Sequence, residues 1–172
     1  AKLLEELGAT ENGRITPRGR LMAAFPCHPR IAGMLLTAGK DRDSREMACR
    51  IAALLGEKDP LPGAGCDLAL RLDATKSNPR ISLAVKQFRN MLETADRMGG
   101  ASDGRGPVSE ALLLAAAYPE RVARQIERSY AQYVTAGAEI APTAGREARS
   151  APAYTAVADP HPSPGAVGPV AP

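Results

Sequence analysis

Arginine side chains carry most of the chemistry that this sequence offers. The chain has 172 residues, and its basic residues are 17 arginines and only 5 lysines. A guanidinium group is planar and permanently charged, and its fork of N–H donors matches the oxygens of a phosphate. The arginines therefore suit a protein that binds nucleic acid, although this composition is equally typical of a GC-rich coding sequence.

Six arginines are candidate nucleic-acid ligands because of their positions along the chain. Four of them surround the first capped helix and the corner after it, and two lie on a long predicted helix. The candidates are Arg14, Arg18, Arg20, Arg30, Arg80 and Arg89. A surface that follows single-stranded RNA needs positive charge more than specific base contacts. The alternative for any single arginine is a solvated helix face or an ion pair, and few aromatic residues are present to stack on bases.

The motifs of nucleotide hydrolysis do not occur in this sequence. There is no GxxxxGK[ST] loop, and Gly63-Ala64-Gly65 and Gly104-Arg105-Gly106 are ordinary loop glycines without a preceding strand. His28 directly follows Cys27, but adjacent residues rarely face each other and no third group orients them as a nucleophile and base. His28 is better interpreted as the cap of the next helix. We therefore predict no catalytic residue in this chain.

The cysteines indicate neither a metal site nor a disulfide framework. Cys27, Cys49 and Cys66 are widely spaced and form no CxxC pair, which suits reduced thiols in a cytoplasm. The sequence also has no secretory signal and no apolar run near the ~20 residues needed to cross a bilayer. These features predict a cytoplasmic protein without a structural metal.

The elements that position the arginines are predicted to be helices. Aromatic residues make up 3% of the chain and tryptophan is absent, so the core must consist of Leu, Ala, Ile, Val and Met, most of which favour helices. Thr16-Pro17 and Pro29 predict two helix starts, with Asn12-Gly13 as a turn and Pro26 as a break.

Later segments continue the helical pattern up to a change in composition near Gly137. The predicted helices are one capped by Ser44 and ending at Gly56, a short one over Asp67 to Ala74, a long one from Asn78-Pro79 to Met98, an apolar one over Val108 to Ala117, and a basic one over Glu120 to about Tyr133. The final 36 residues contain seven prolines and no Leu, Phe or Met. Such a segment buries too little apolar surface to offset the entropy of ordering its backbone.

Short motifs follow one another in a recognisable order over roughly residues 3 to 125. They are Leu7-Gly8-Ala9, Gly13-Arg14-Ile15-Thr16, Gly19-Arg20, Met22-Ala23, His28-Pro29-Arg30, ACRIAALLGEKDP at 48–60, Asp67-Leu68 and AYPERVAR at 117–124. Each is weak alone, but their order and spacing resemble the helicase-associated region of DEAH/RHA-class helicases. The resemblance is greatest to the bacterial HrpB-type ATP-dependent RNA helicases.

The resemblance implies an all-α fold in which a ratchet-like helical bundle follows the C-terminal part of a winged helix. Residues 1–26 would be the end of the winged-helix domain and 27–134 the bundle, with 135–172 a disordered or non-native-like, Pro/Ala-rich tail. The tail departs from the family, whose members continue through a glycine-rich turn into a β-rich region. Here the segment from Gln125 to Tyr133 has no such glycine cluster, and the sequence predicts no alternating strands after it. Either the tail is unrelated or frame-shifted, or this chain is a divergent member of the family.

The function implied by the resemblance is that of an accessory C-terminal region of an ATP-dependent RNA helicase. It would pack on RecA-like motor domains of the same polypeptide and help guide single-stranded RNA. ATP and magnesium would be bound only by those motor domains, so no cofactor is expected in this chain. The start at Ala1 within an amphipathic pattern is also expected of a fragment. The alternative is a helical protein–protein interaction module that binds no nucleic acid and uses its arginines as solubilising charge.

Overall fold

The computed structural model describes residues 2–62, 68–99 and 106–125, followed by four short strands within residues 132–169. Side chains are described as far as Val122. In chain order the helices are α1 (Lys2–Glu6), α2 (Pro17–Ala23), α3 (Pro29–Thr37), α4 (Arg42–Gly56), α5 (Leu68–Ala74), α6 (Pro79–Arg97) and α7 (Glu110–Ala117). The described residues up to Arg121 are thus mostly helical, and the predicted all-α fold class is confirmed for this part. The predicted boundaries between its three parts stay a prediction.

A small hairpin between α1 and α2 sets the geometry of the first part of the chain. Strands β1 (Thr10–Glu11) and β2 (Arg14–Ile15) pair in antiparallel register around a two-residue turn. Both turn residues have positive φ, 50° at Asn12 and 74° at Gly13. This is the backbone of a type I′ hairpin turn, for which Asn-Gly is the preferred pair. The predicted turn is therefore confirmed.

Thr16 joins the hairpin to the start of α2, as its sequence context predicts. The Thr16 hydroxyl accepts a hydrogen bond from the Gly19 backbone N–H at 2.9 Å and donates to the Gly8 carbonyl at 2.7 Å. One side chain thus satisfies an unpaired amide at the helix start and binds the loop before the hairpin. Pro17 occupies the first helical turn, where a missing N–H costs nothing.

The corner between α2 and α3 is built as the two prolines predict. Helix α2 ends before Pro26, and Pro29 begins α3. His28 is the N-cap of α3, because its Nδ1 accepts the backbone N–H of Arg30 at 3.3 Å. The structural interpretation of His28 is therefore correct, and this side chain has a capping role.

The core lies where α3, α4, α6 and α7 meet. Its fully enclosed side chains, each less than 2% exposed, include Met34, Leu35, Ile51, Ile81, Leu113 and Cys49. Two ion pairs join α4 to α6 at the edge of this core: Arg45 with Asp96, and Glu46 with Arg89. Helices α4 and α6, the two longest, therefore lie side by side, and the strong periodicity of both segments predicts a buried face on each.

The start of α4 differs from the prediction by a few residues. Asp41, and not Ser44, is the N-cap, and its carboxylate accepts the Ser44 backbone N–H at 2.9 Å. The buried Ser44 hydroxyl donates to Asp41 at 2.7 Å and accepts the backbone N–H of Val108 at 2.8 Å. Ser44 therefore fixes the segment before α7, a contact 64 residues away that local sequence cannot indicate.

The chain after α7 turns into strands, so the helix predicted over Glu120 to Tyr133 is wrong. Pro119–Arg121 forms a 3₁₀ turn, and β3 (Val122–Gln125) follows directly. The other strands are β4 (Gln132–Thr135), β5 (Ile140–Pro142), β6 (Tyr154–Val157) and β7 (Val167–Pro169). They form one antiparallel sheet in the order β5-β4-β3-β6-β7.

The strands within the proline-rich tail follow the rule that proline is tolerated at sheet edges. Pro142 lies in β5 and Pro169 in β7, and these are the two edge strands. A proline cannot donate a ladder hydrogen bond, so an edge position costs least. The prediction that no strands follow the helical part is therefore wrong, since β4 to β7 are regular within a segment whose composition predicts disorder.

Gly19 is the residue whose replacement should damage the first part of the fold most directly. A Cβ at Gly19 would overlap the carbonyl oxygen of Ala9 and lie 2.9 Å from Cγ1 of Ile15. We predict that Gly19→Ala lowers the free energy of unfolding by at least about 1–3 kcal/mol, the usual cost of overpacking. The measurement is urea unfolding of the chain followed by circular dichroism.

The matched control is Gly56→Ala at the end of α4, where a Cβ would meet no atom within 4 Å. It should leave stability unchanged or raise it slightly, because alanine reduces the entropy of the unfolded chain. Equal effects of the two substitutions would contradict the close approach at Gly19.

Candidate nucleic-acid interface

Arg18 is partly buried, and its guanidinium contacts other elements of the fold. Its Nη2 donates to the Gly33 carbonyl at 2.8 Å and to Oγ1 of Thr37 at 2.9 Å, both on α3. Its Nε donates to the carbonyl of Leu7, the residue directly after α1, at 3.3 Å. The guanidinium therefore joins α1, α2 and α3, and these contacts leave it poorly placed to bind a phosphate.

Arg30 is likewise occupied, at the junction between α3 and the end of α7. Its Nη1 donates to the Ala117 carbonyl and to Oε2 of Glu120, each at 2.9 Å, and Nη2 lies 2.8 Å from Oε1 of Glu120. The Tyr118 ring lies against the guanidinium groups of both Arg30 and Arg121, at 5.0 and 4.7 Å. We name Arg30, Tyr118, Glu120 and Arg121 the Arg30 clasp. The Arg30 side chain is only 18% exposed within it.

The Glu120 carboxyl has a lowered pKa as a result of this arrangement. Burial alone would raise the pKa of Glu120, but the Arg30 hydrogen bond and the charges of Arg30 and Arg121 outweigh burial and lower it. The ionised form of Glu120 is therefore the one that the folded state favours.

Arg89 has an intermediate position, since it is paired but still reaches solvent. Its Nη2 lies 2.7 Å from Oε2 of Glu46 on α4, and its side chain is 49% exposed. Glu46 also faces Arg50 at 3.4 Å, in an i,i+4 pair. Arg89 could approach a phosphate only in competition with the Glu46 carboxylate.

Arg14, Arg20 and Arg80 are the candidates that the fold leaves available. All three are exposed and make no side-chain hydrogen bond or ion pair with a described residue. Arg14 lies on β2 of the hairpin, Arg20 on α2, and Arg80 in the first turn of α6. The structure thus divides the six predicted residues into internal braces, one partly used arginine and three accessible cations.

Arg45 is an internal arginine that the sequence analysis did not select. It forms a two-pronged contact with Asp96, with Nη1–Oδ2 and Nη2–Oδ1 distances of 2.7 Å, and its Nε donates to the Gly39 carbonyl at 2.7 Å. The hydrogen bond from Arg45 is the largest cause of the lowered pKa of the Asp96 carboxyl. The two residues are 51 positions apart, so no local spacing could have indicated the pair.

The thiols of Cys27 and Cys49 have low reactivity. Burial is the main reason why the pKa of the Cys49 thiol rises to about 12, and burial also raises the pKa of Cys27. A thiol with a raised pKa is a poor nucleophile and metal ligand at neutral pH. No group of three potential metal ligands occurs within residues 2–62, 68–99 and 106–122. Cys66 lies outside the described residues.

Comparison with known proteins identifies the architecture just described. The family model of the helicase-associated domain (HA2), winged-helix, matches residues 1–27. The ATP-dependent RNA helicase HrpB of Escherichia coli (strain K12) is 32% identical over 124 residues, which are 72% of this chain and 14% of that protein. This chain carries a helicase-associated region of the HrpB type. The predicted resemblance is therefore confirmed.

Solved structures agree with this assignment. The crystal structure of the E. coli DExH-box NTPase HrpB superposes with a TM-score of 0.71 and 29% identity, over 92% of this chain and 18% of that one. The crystal structure of the Escherichia coli DEAH/RHA helicase HrpB gives a TM-score of 0.69 and 27% identity, over 92% and 19%. The chain therefore spans less than a fifth of the HrpB proteins that it matches. None of the helices within the described residues is long and apolar enough to cross a membrane.

The brace formed by Arg18 generates a stability prediction. Arg18→Met keeps much of the aliphatic stem but leaves the Leu7 and Gly33 carbonyls without their Arg18 donors. We expect a loss of about 1–3 kcal/mol in the free energy of unfolding, the usual cost of removing hydrogen bonds that a charged group donates to part-buried acceptors. The exposed Arg20→Met, on the same helix, should stay within about 0.5 kcal/mol of the wild type. Urea unfolding measures both, and equal losses would contradict the internal role of Arg18.

The Arg30 clasp generates a prediction about pH. Because the folded-state pKa of Glu120 is lowered, its stabilising contribution is present above the unfolded value of about 4.3 and is lost as pH falls through the folded value. Glu120→Gln should therefore be less stable than the wild type at pH 7, by less than about 1 kcal/mol for this partly exposed pair.

The same comparison at low pH provides the decisive measurement. The difference between Glu120→Gln and the wild type should shrink as the pH falls below about 4, measured by thermal unfolding across a pH series. The control is Glu57→Gln, at an exposed residue after α4 that makes no ion pair with a described residue. A Glu120→Gln difference that stays constant with pH would show that the carboxylate charge is not what stabilises the clasp.

Proposed function

We propose that this chain is an accessory region of an ATP-dependent RNA helicase of the cytoplasm. In this proposal it packs on RecA-like motor domains of the same polypeptide and guides single-stranded RNA past its surface. ATP and magnesium belong to the motor domains, and the chain has no catalytic role of its own. The proposal rests on the relationship to HrpB together with the distribution of the arginines.

One observation supports RNA guidance most directly. Arg14, Arg20 and Arg80 are exposed and unpaired among the described residues, although the chain has enough carboxylates to pair most of its cations. Arg45, Arg71 and Arg89, by contrast, each form an ion pair with an acidic side chain. Unpaired exposed guanidinium groups are free to neutralise phosphates without first breaking a salt bridge.

The rigid attachment of these cations gives the proposed mechanism. Arg14 and Arg20 lie on the hairpin and α2, which Arg18 fixes to α3. The Arg30 clasp then fixes α3 to the end of α7. A movement that the motor imposes on one of these elements would therefore be passed on to the RNA-facing arginines, instead of being absorbed by a flexible joint.

The alternative function, a protein interaction module, has an observation of its own. Leu83 on α6 and Leu112 on α7 are large apolar side chains that are 59% and 60% exposed. Single exposed leucines are common on protein surfaces, however, and only a contiguous apolar patch would indicate an interface. The arginine distribution therefore favours RNA as the partner.

The test of the proposed function is the double substitution Arg14→Gln/Arg20→Gln in the full-length polypeptide that contains this chain. We expect weaker binding of single-stranded RNA and a salt dependence reduced in slope by about 1.4, since each lost phosphate contact contributes about 0.7 for single strands. RNA-stimulated ATP hydrolysis should require more RNA for half-maximal activation. Fluorescence anisotropy at several salt concentrations gives the slope.

The matched control removes the same total charge elsewhere. Arg42→Gln/Lys58→Gln changes two exposed cations at either end of α4 and should leave the salt slope nearly unchanged. Equal losses of RNA affinity in the two double variants would show that net charge alone causes the effect. Unchanged RNA binding in Arg14→Gln/Arg20→Gln, together with loss of a protein partner, would instead support the interaction module. Charge reversal at Arg18 or Arg30 is unsuitable here, because it would break internal contacts.

A further inference from the structure

A groove lies between the end of α2 and the outer side of α6. Its volume is about 310 Å³. It is lined by Ala24, Phe25, Gln87, Asn90, Met91, Thr94, Ala95 and Met98. Phe25 and Ala95 are 5% and 4% exposed, whereas Met98 is 58% exposed. The groove therefore combines a buried apolar part with an accessible rim.

The polar residues of the groove belong to one continuous stripe along α6. Residues at alternating three- and four-residue spacing are all exposed: Arg80, Leu83, Gln87, Asn90, Thr94 and Arg97. This spacing places them on one side of the helix. The stripe itself contains no carboxylate. The exposed Glu93 borders it, three residues after Asn90 and four before Arg97, and Asp96 is held by Arg45 on the α4 side. Arg80 and Arg97 are therefore the charged residues of the stripe itself.

Two amide side chains in the groove have unused hydrogen-bonding capacity. Those of Gln87 and Asn90 form no hydrogen bond with a described residue, whereas the Thr94 hydroxyl is already donated to the Asn90 carbonyl at 2.9 Å. A carboxamide both donates and accepts in one plane, which matches the edge of a nucleobase. Met91 and Met98 add flexible, polarisable surface that adapts to a flat apolar face.

Two exposed arginines lie on the helices that line the groove. Arg97 donates from Nη2 to Oγ1 of Thr94 at 3.1 Å, which holds its guanidinium beside the lining. Arg20 lies four residues before Ala24 on α2, and residues at this spacing share a helix face. Both arginines are exposed. Phosphates on either side of a bound base would therefore meet positive charge.

We propose that this groove binds one unpaired base of single-stranded RNA. The base edge contacts the amides of Gln87 and Asn90, its faces contact the methionines, and the flanking phosphates lie near Arg20 and Arg97. This inference rests on the proposed RNA-guiding function and adds to it a position where the chain contacts a base. It also gives a chain with few aromatic residues a way to hold a base without aromatic stacking.

The test compares two fluorescent RNA oligomers of equal length, one of uridines and one whose central nucleotides are abasic. The 172-residue chain is titrated with each at low salt, and wild-type protein should bind the uridine oligomer about 10-fold more tightly, in line with one good base-edge contact. The variant Gln87→Met/Asn90→Leu preserves side-chain size but removes the amides. It should bind the uridine oligomer no better than the abasic one and bind the abasic oligomer as the wild type does.

A direct readout accompanies the titration. In ¹⁵N-labelled wild-type protein, two side-chain NH₂ signals that are missing from Gln87→Met/Asn90→Leu belong to these residues. They should shift on addition of the uridine oligomer and stay in place with the abasic one. The control variant is Arg80→Gln on the same stripe but outside the groove lining, which should weaken both oligomers equally.

The outcomes separate this inference from the proposed function. Salt-sensitive binding of both oligomers with no effect of the amide substitutions would overturn the base site and leave RNA guidance intact. Absence of RNA binding by both the chain and the full-length polypeptide would overturn both. Weakened packing on the motor domains with unchanged RNA binding would identify the groove as a protein interface and overturn the base site. Equal loss for both oligomers, with an unchanged unfolding temperature, would mean that no base is read there.

Discussion

The contacts of the Arg18 guanidinium are the constraint on which the first third of the structure depends. They connect the α1 turn to two acceptors on α3, so the hairpin between those elements cannot rotate independently of the bundle. Gly19, the next residue, allows α2 to pack against the Ala9 carbonyl, where any side chain would collide. The guanidinium of Arg18 and the missing side chain of Gly19 thus stabilise the same joint between α2 and its neighbours. The match to the winged-helix family model ends at residue 27, between this joint and the start of α3.

Arginine has two different roles in this chain, and residue type alone does not distinguish them. Its five donors can satisfy several carbonyls and a carboxylate at once, as in the Arg30 clasp, or they can face a phosphate in the same geometry. What separates the roles is the three-dimensional environment. Arg18 and Arg30 meet helix-end or backbone acceptors, whereas Arg14, Arg20 and Arg80 face solvent. Arg18, Arg30 and Arg45 thus serve as contacts within the fold, a role that residue type alone does not reveal.

Local chemistry was sufficient to predict much of this fold. The Asn12-Gly13 turn, the cap at Thr16 and the proline helix starts depend on neighbouring residues, and each is found as expected. The errors arise where distant contacts decide. Ser44 binds Val108 instead of capping α4, and the segment after Arg121 pairs as a strand because β4 and β6 lie on either side of it. The groove beside α6 needs residues of α2 and α6 together, so its two halves carry no common signal in the sequence.

The positions of the two arginine braces bear on how force could pass through such a region. Arg18 connects α2 to α3, and Arg30, at the other end of α3, connects that helix to the 3₁₀ turn that leads into β3. Helix α3 is therefore held at both ends by charge-assisted hydrogen bonds, which are stronger and more directional than apolar contacts. Apolar packing alone would allow α3 to slide along its neighbours with little loss of buried area. The braces fix its register, so that the exposed cations on the hairpin and α2 keep a defined position relative to α3 and to the turn that follows α7.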